Sequence, residues 1–151
     1  MNLILNIDKP YGWTSADVVR KLKNVLSKAG LKKEKIGHAG TLDPLATGVL
    51  IVCVGRDATK QIDSIQSGHK RYVFTVELGA TTPSYDLEHP IDTTYPWEHI
   101  TEKDIRDFSA SLQGEIQQVP PLFSAKKVGG KRAYSLARAG ADAELKPASV
   151  T

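Results

Sequence analysis

Gly37-His38-Ala39-Gly40-Thr41-Leu42-Asp43-Pro44-Leu45-Ala46-Thr47-Gly48 runs directly into Val49-Leu50-Ile51-Val52-Cys53-Val54, and the contrast between these two stretches decides how the chain is read. Three glycines and a proline among twelve residues exclude a regular helix, because glycine loses the most backbone entropy on ordering and proline lacks an N–H and fixes φ. The first stretch is therefore a shaped loop. The second, apolar and β-branched and bounded by Gly48 and Gly55, reads as a buried strand that anchors the loop in the core. A carboxylate at Asp43, set between Leu42 and Pro44 and close to a histidine and hydroxyls, suits a loop that carries chemistry on a rigid support. Asp before Pro is equally a common turn starter, so the pair alone does not separate structure from function.

Working outward, Leu3 to Ile7 predicts a first strand ending at Asp8-Lys9-Pro10-Tyr11-Gly12, where proline and glycine force a turn. Thr14 or Ser15 can then cap a helix whose apolar stripe is Val18, Val19, Leu22, Val25, Leu26 and Ala29, with Gly30 as the stop. Beyond the buried strand, Gly55 to Lys60 leads into a short helix through about Ile65. Lys70 to Gly79 alternates, which predicts a strand with Tyr72, Phe74, Val76 and Leu78 on one face. Ala80 to Pro96 is a loop with at most a short edge strand. Thr101 and Asp104 form a capping box before Ile105, Phe108 and Leu112, and Gly114 stops that helix. Gln118 to Lys127 reads as extended, Gly129-Gly130 as a turn, and Lys131 to Arg138 as a last short helix.

The 151 residues suit one α+β domain, a mixed or antiparallel sheet flanked by helices with the Gly37–Gly48 loop lining a cleft. With 40% hydrophobic and 25% charged residues, the composition points to neither disorder nor a membrane span. The N-terminus lacks the basic region and long apolar run of a signal peptide. Cys53, the one cysteine, falls inside the predicted strand, so no internal disulfide can form and a cytoplasmic location is the default. Net charge is only +3, but lysines 21, 23, 28, 32, 33 and 35 crowd the segment before the loop, and Lys126, Lys127, Lys131, Arg132 and Arg138 form a second group. Such clusters either track phosphates or are ordinary solvated surface. No phosphate-loop, dinucleotide or zinc-spacing motif is present, so no cofactor and no metal are expected.

The loop as a whole resembles the GHxGTLDPxATG signature of the TruB family of tRNA pseudouridine synthases. Further segments are similar to that family: Asp8-Lys9-Pro10, Ala58-Thr59-Lys60, the Lys-x-Tyr of Lys70 to Tyr72, and Pro120-Pro121-Leu122-Phe123-Ser124-Ala125. The resemblance implies that Asp43 is the catalytic residue of an enzyme converting uridine 55 in the T loop of tRNA to pseudouridine, without a cofactor. It implies that Tyr72 stacks on the target base, that His38 wedges against the RNA loop, that Gly40, Thr41 and Leu42 line the substrate site, and that Lys60 lies near RNA phosphate. It implies a pseudouridine synthase fold of which residues 1–151 are the N-terminal portion. The remainder of the catalytic domain, with an arginine partner for the catalytic Asp and a second tyrosine, and a C-terminal RNA-binding domain are expected to follow. A T-arm stem-loop is then the partner. A monomeric full-length enzyme and a self-associating isolated fragment are expected. At Thr81 to His89 the chain departs from the family's T-D-T-x-D-x-x-G, keeping Asp86 but not the earlier Asp or the closing Gly. Leu45 stands where guide-RNA-dependent relatives carry Lys. The alternatives weighed are such a relative and a non-catalytic RNA-binding module; a glycosidase needs a second carboxylate about 5 to 9.5 Å away, and one candidate is evident.

Overall fold

The computed structural model describes residues 1–120, 127–128, 131–132 and 145–150. It divides into two compact units, Met1–Phe74 and Thr75–Thr151. In the first, three antiparallel strands form a sheet in the order β1 (Leu3–Lys9), β3 (Gly48–Val54), β2 (Ile36–His38). The apolar run predicted to be buried is thus the central strand. Its register places Leu50 opposite Ile7, Val52 opposite Leu5 and His38, and Cys53 opposite Ile4 and Gly37.

One face of this sheet is covered by helix α1 (Ser15–Lys28). Val18, Leu50 and Val52 form the buried cluster, with Ile7, Val19, Leu22, Ile36 and Leu42 packed against it. Each fully buried aliphatic side chain of this kind contributes about 1.5–3 kcal/mol. Both ends of α1 follow from local sequence. Thr14 is the N-cap and closes a reciprocal box with Asp17. At the other end Gly30, at φ 87°, donates to the Ser27 carbonyl while Leu31 donates to that of Leu26, the paired bonds of a Schellman stop.

The opposite face explains why residue 37 is glycine. Strand alternation turns Gly37 away from Ile36, and a Cβ there would sit 2.8 Å from the Cδ1 of Ile62. Ile62 opens α3 (Ile62–Gln66), which follows α2 (Arg56–Thr59). The single short helix expected here is therefore two, broken at Lys60-Gln61. The turn into α2 passes through Gly55 at φ 95°, where a Cβ would lie 1.8 Å from the Met1 carbonyl oxygen. The Asn2 side chain accepts from the Asp57 N–H and donates to its carboxylate, tying the start of β1 to that helix.

In the second unit, the segment read as a loop with at most a short edge strand holds two short strands, β4 (Ala80–Thr81) and β5 (Thr93–Thr94), which pair with each other as a two-stranded sheet. Helix α4 (Glu102–Ser111) has the predicted Thr101–Asp104 capping box, and Gly114 follows at φ 82°. Its apolar residues Ile105, Phe108 and Leu112 are exposed. Strand β6 (Ile116–Gln118) pairs with β9 (Ala148–Val150), and β7 (Lys127–Val128) pairs with β8 (Lys131–Arg132). Among the described residues no helix is long and apolar enough to cross a membrane.

Two further expectations fail. Lys70 to Gly79 is not a strand: residues 70–77 have no regular structure and Val73 is 95% and Phe74 79% exposed. Alternation sets which side chains share a face, but a strand exists only where a neighbour supplies its ladder of hydrogen bonds, and no described strand pairs with this segment. Lys131–Arg132 is strand β8 rather than the start of a helix, because it pairs with Lys127–Val128. The rest of that predicted helix, the Gly129-Gly130 turn and residues 121–126 lie outside the described residues.

Candidate active site

The loop between β2 and β3 is held from below at the two residues flanking Asp43. On one side, the buried Ser15 hydroxyl donates to the Leu42 carbonyl at 3.2 Å and accepts from the Leu42 N–H at 3.0 Å. Ser15 is free to do this because its neighbour Thr14 takes the capping role. On the other side, the Pro44 carbonyl accepts from the Gly12 N–H at 2.8 Å and from the Lys9 ammonium at 3.3 Å. The Ala46 N–H donates to the Asp43 carbonyl at 3.1 Å, which closes a turn across the carboxylate.

Lys9 is the unexpected member. Leu5, Ile7 and Lys9 fall on the inward face of β1, so a lysine occupies a core position and is fully buried. Its ammonium donates to three backbone carbonyls, those of Trp13 at 2.5 Å, Pro10 at 3.2 Å and Pro44 at 3.3 Å. Burial pulls its pKa below the ordinary lysine value, and the negative charges of Asp43 and Asp17 partly oppose that. One side chain thus joins the end of β1, the turn into α1 and the loop. Sequence reasoning treated Asp8-Lys9-Pro10 as a strand-to-turn signal. The alternation of residues 3, 5 and 7 carried the missing cue, since continuing it by one step puts a charge among core positions.

Asp43 itself is exposed, and its carboxylate makes no hydrogen bond or ion pair among the described residues. His38, half-buried at the end of β2, places Nδ1 2.5 Å from the Gly40 carbonyl. A carbonyl only accepts, so Nδ1 carries the hydrogen and a neutral ring leaves Nε2 as an acceptor. Gly40 at φ 107° and Gly48 at φ 109° take backbone angles that other residues rarely adopt, and these make the loop's entry and exit bends. Thr41 is exposed, whereas Leu42 turns into the core.

The structure therefore gathers His38, Gly40, Thr41, Leu42 and Asp43 on one clamped loop. It does not draw in the other two residues singled out from sequence. Lys60 is bonded to Asp57 at 3.1 Å in an exposed pair, and Tyr72 is 62% exposed with no hydrogen bond to the loop. Nor is a cleft formed at Asp43 by the surface depressions of this unit that lie along α1, which are lined by other residues. In the second unit Asp86 organises its own loop: it accepts from the Ser84 hydroxyl and the Glu88 N–H, and Ser84 also meets His89 Nδ1 at 2.9 Å.

A sequence-family model described as "TruB family pseudouridylate synthase (N terminal domain)" matches residues 28–151. The chain is similar to curated proteins named tRNA pseudouridine synthase B. That of Bacteroides fragilis is 57% identical over 145 residues, covering 95% of this chain and 62% of the relative. The Flavobacterium johnsoniae protein is 53% identical over 98% of this chain and 65% of its own length. For Clostridium kluyveri the figures are 49%, 100% and 50%. The chain spans between half and two thirds of the length of these relatives.

Proposed function

The chain belongs to the TruB family of pseudouridylate synthases, and on that premise we propose that it is the N-terminal portion of the catalytic domain of a cytoplasmic enzyme that isomerises uridine 55 in the T loop of tRNA, with Asp43 as the catalytic carboxylate. The observation that supports this reading is the presentation of Asp43: an exposed acid whose carboxylate makes no hydrogen bond or ion pair among the described residues and whose charge is felt by the buried Lys9, on a turn fastened at Leu42 by Ser15 and at Pro44 by Lys9 and Gly12. A turn-starting Asp commonly accepts from a backbone N–H two residues on; the Asp43 carboxylate makes no such bond among the described residues, which supports a role towards a ligand.

The reaction breaks the bond from C1′ to N1, turns the uracil and rejoins it through C5. Positive charge develops at C1′ as in glycoside hydrolysis, where an ionised carboxylate stabilises or attacks that carbon. Attack at the sugar, addition to the uracil ring and removal of a ribose proton are the three roles open to Asp43. The base must leave its stack to come within reach. His38, through its free Nε2, is placed on the same loop to contact the extruded arrangement. Gly40, Thr41 and Leu42 shape the floor between them. Tyr72 stacking on the base and Lys60 meeting phosphate are parts of the same proposal that require movement of an exposed segment and release of Asp57. Comparing wild type with Asp43→Asn in a polypeptide extended to the length of the relatives tests the reading: RNA binding is retained and pseudouridine in a T-arm transcript is lost. Equal product from both overturns it.

A further inference from the structure

A shallow, open groove on the solvent face of α1 begins where the Asp43 loop is fastened. Its first part is lined by Gly12, Trp13, Asp17, Arg20, Lys21 and Asn24, and a second depression that shares Lys21 and Asn24 continues it past Val25 and Ser27 to Lys28. Positions 17, 20, 21, 24 and 28 recur at three and four residues, so they form one stripe on the side of the helix away from its core residues Val18 and Leu22. The groove's single carboxylate is already satisfied. Asp17 accepts from Thr14 and pairs with Arg20 at 2.9 Å. Lys21 and Lys28 are exposed and make no ion pair among the described residues. Trp13 is 38% exposed at one end, beside Tyr11 at 66%. The same turn donates the Gly12 N–H to Pro44, the residue after Asp43.

We propose that this groove is an RNA-backbone track: Lys21 and Lys28 each hold a phosphate of the strand that leaves the nucleotide at Asp43, and Trp13 stacks on an unpaired base at its near end. The proposal rests on the reading of the Asp43 loop as an RNA site and names a surface outside that loop. Unpaired cations at helical spacing with an aromatic at the edge are the combination that holds single-stranded or loop RNA without reading its sequence. Lys21 and Lys28 lie seven residues apart, about 10.5 Å along the helix axis, which gives the track its direction. A solvated lysine face would offer neither the shared groove nor the bonded connection to Pro44.

Anisotropy titration of a labelled T-arm stem-loop RNA against a polypeptide extended to the length of the relatives, repeated over a range of salt, tests the track. Lys21→Gln with Lys28→Gln keeps side-chain length and helix propensity while removing both charges. Two lost phosphate contacts lower the slope of log K against log salt by about 1.4 to 1.8, and at about 0.1 M salt weaken binding roughly 25-fold or more. Trp13→Ala weakens binding about fivefold or more with no change of slope, because stacking releases no counterions. The control is Lys103→Gln with Arg106→Gln on α4, equal in charge but already paired with Asp107 and Glu102. If the control lowers the slope as much as the groove pair, net charge alone is responsible and the track is overturned. If wild type and Asp43→Asn bind equally while the groove pair retains wild-type affinity and slope, the track falls and the reading of the Asp43 loop stands. If wild type does not bind the hairpin at all, both fall.

Discussion

Replacing Lys9 by methionine keeps the aliphatic stem in the core and deletes the ammonium. The three carbonyls it serves are affected unequally. Pro44 keeps the Gly12 N–H at 2.8 Å and Pro10 keeps a long bond from the Trp13 N–H at 3.4 Å, whereas the Trp13 carbonyl loses the 2.5 Å partner that holds it. Hydrogen bonds from a charged donor contribute about 1.5–3 kcal/mol, and because Trp13 is exposed its carbonyl can turn to water, so the loss is chiefly that of the bond itself. Against this stands the relief of removing a charge that burial disfavours, the same effect that lowers the Lys9 pKa. The net expectation is a loss of about 1–2 kcal/mol, a fall in melting temperature of about 2–8 °C for a chain of this size. Thermal unfolding followed by circular dichroism measures it. Native-state hydrogen exchange locates it, because the Gly12 amide should exchange faster while amides in the middle of β3 fall only by the global amount. A Lys9→Met protein that melts within a degree of wild type, with Gly12 still protected, would refute the claim that this lysine fastens the loop.

Ser15→Ala removes both bonds to Leu42 and is expected to cost about 1–2 kcal/mol, read as a lower denaturant midpoint with unchanged m-value; an unchanged midpoint contradicts the clamp. Hydrogen bonds from Thr14 hold the Asp17 carboxyl below its ordinary pKa, so its stabilisation is fully present above that ordinary value and is lost as pH falls through the lowered one. Urea titrations of wild type and Asp17→Asn should therefore differ by a constant amount near neutrality and begin to draw together only as pH falls below about 3.8, meeting below the lowered pKa; a gap that stays constant in stronger acid contradicts it. The 151-residue chain exposes the alternating apolar segment Tyr72 to Leu78, and an unpaired segment of that kind invites another chain. Light scattering should show association that Val73→Lys with Phe74→Lys relieves, and a monomeric wild type contradicts it.

What could be read from sequence was what neighbouring residues determine. Thr14 with Asp17 at one end, and Gly30 about four turns after Thr14 at the other, specify α1 from local sequence. Val49 to Val54 declares a buried strand by having apolar residues on both faces, and the structure makes it the central one. The loop could be recognised as a loop from its glycines and proline, and its likeness to a family signature marked Asp43. What holds that loop was hidden because each clasp joins residues far apart in the chain: Ser15 reaches Leu42, and Lys9 reaches Pro44. Sequence left the cap open between Thr14 and Ser15; the box that Thr14 closes with Asp17 decides it, and Ser15 is left to bond Leu42. Tyr72 shows the converse limit. Its alternating context fixes a face, but the pairing that would make a strand depends on a partner the local pattern does not contain. Ile105, Phe108 and Leu112 are likewise correctly spaced for a helix, yet spacing does not say what, if anything, covers them.

The account depends most on one carboxylate doing chemistry rather than making a turn. The direct measurement is single-turnover conversion of uridine in a T-arm stem-loop transcript by a polypeptide of the relatives' full length, as wild type and as Asp43→Asn, with RNA affinity determined in parallel. The prediction is unchanged affinity and a rate lower by at least about a thousandfold, the scale on which removal of an essential catalytic group acts. Conversion by Asp43→Asn at the wild-type rate would contradict it.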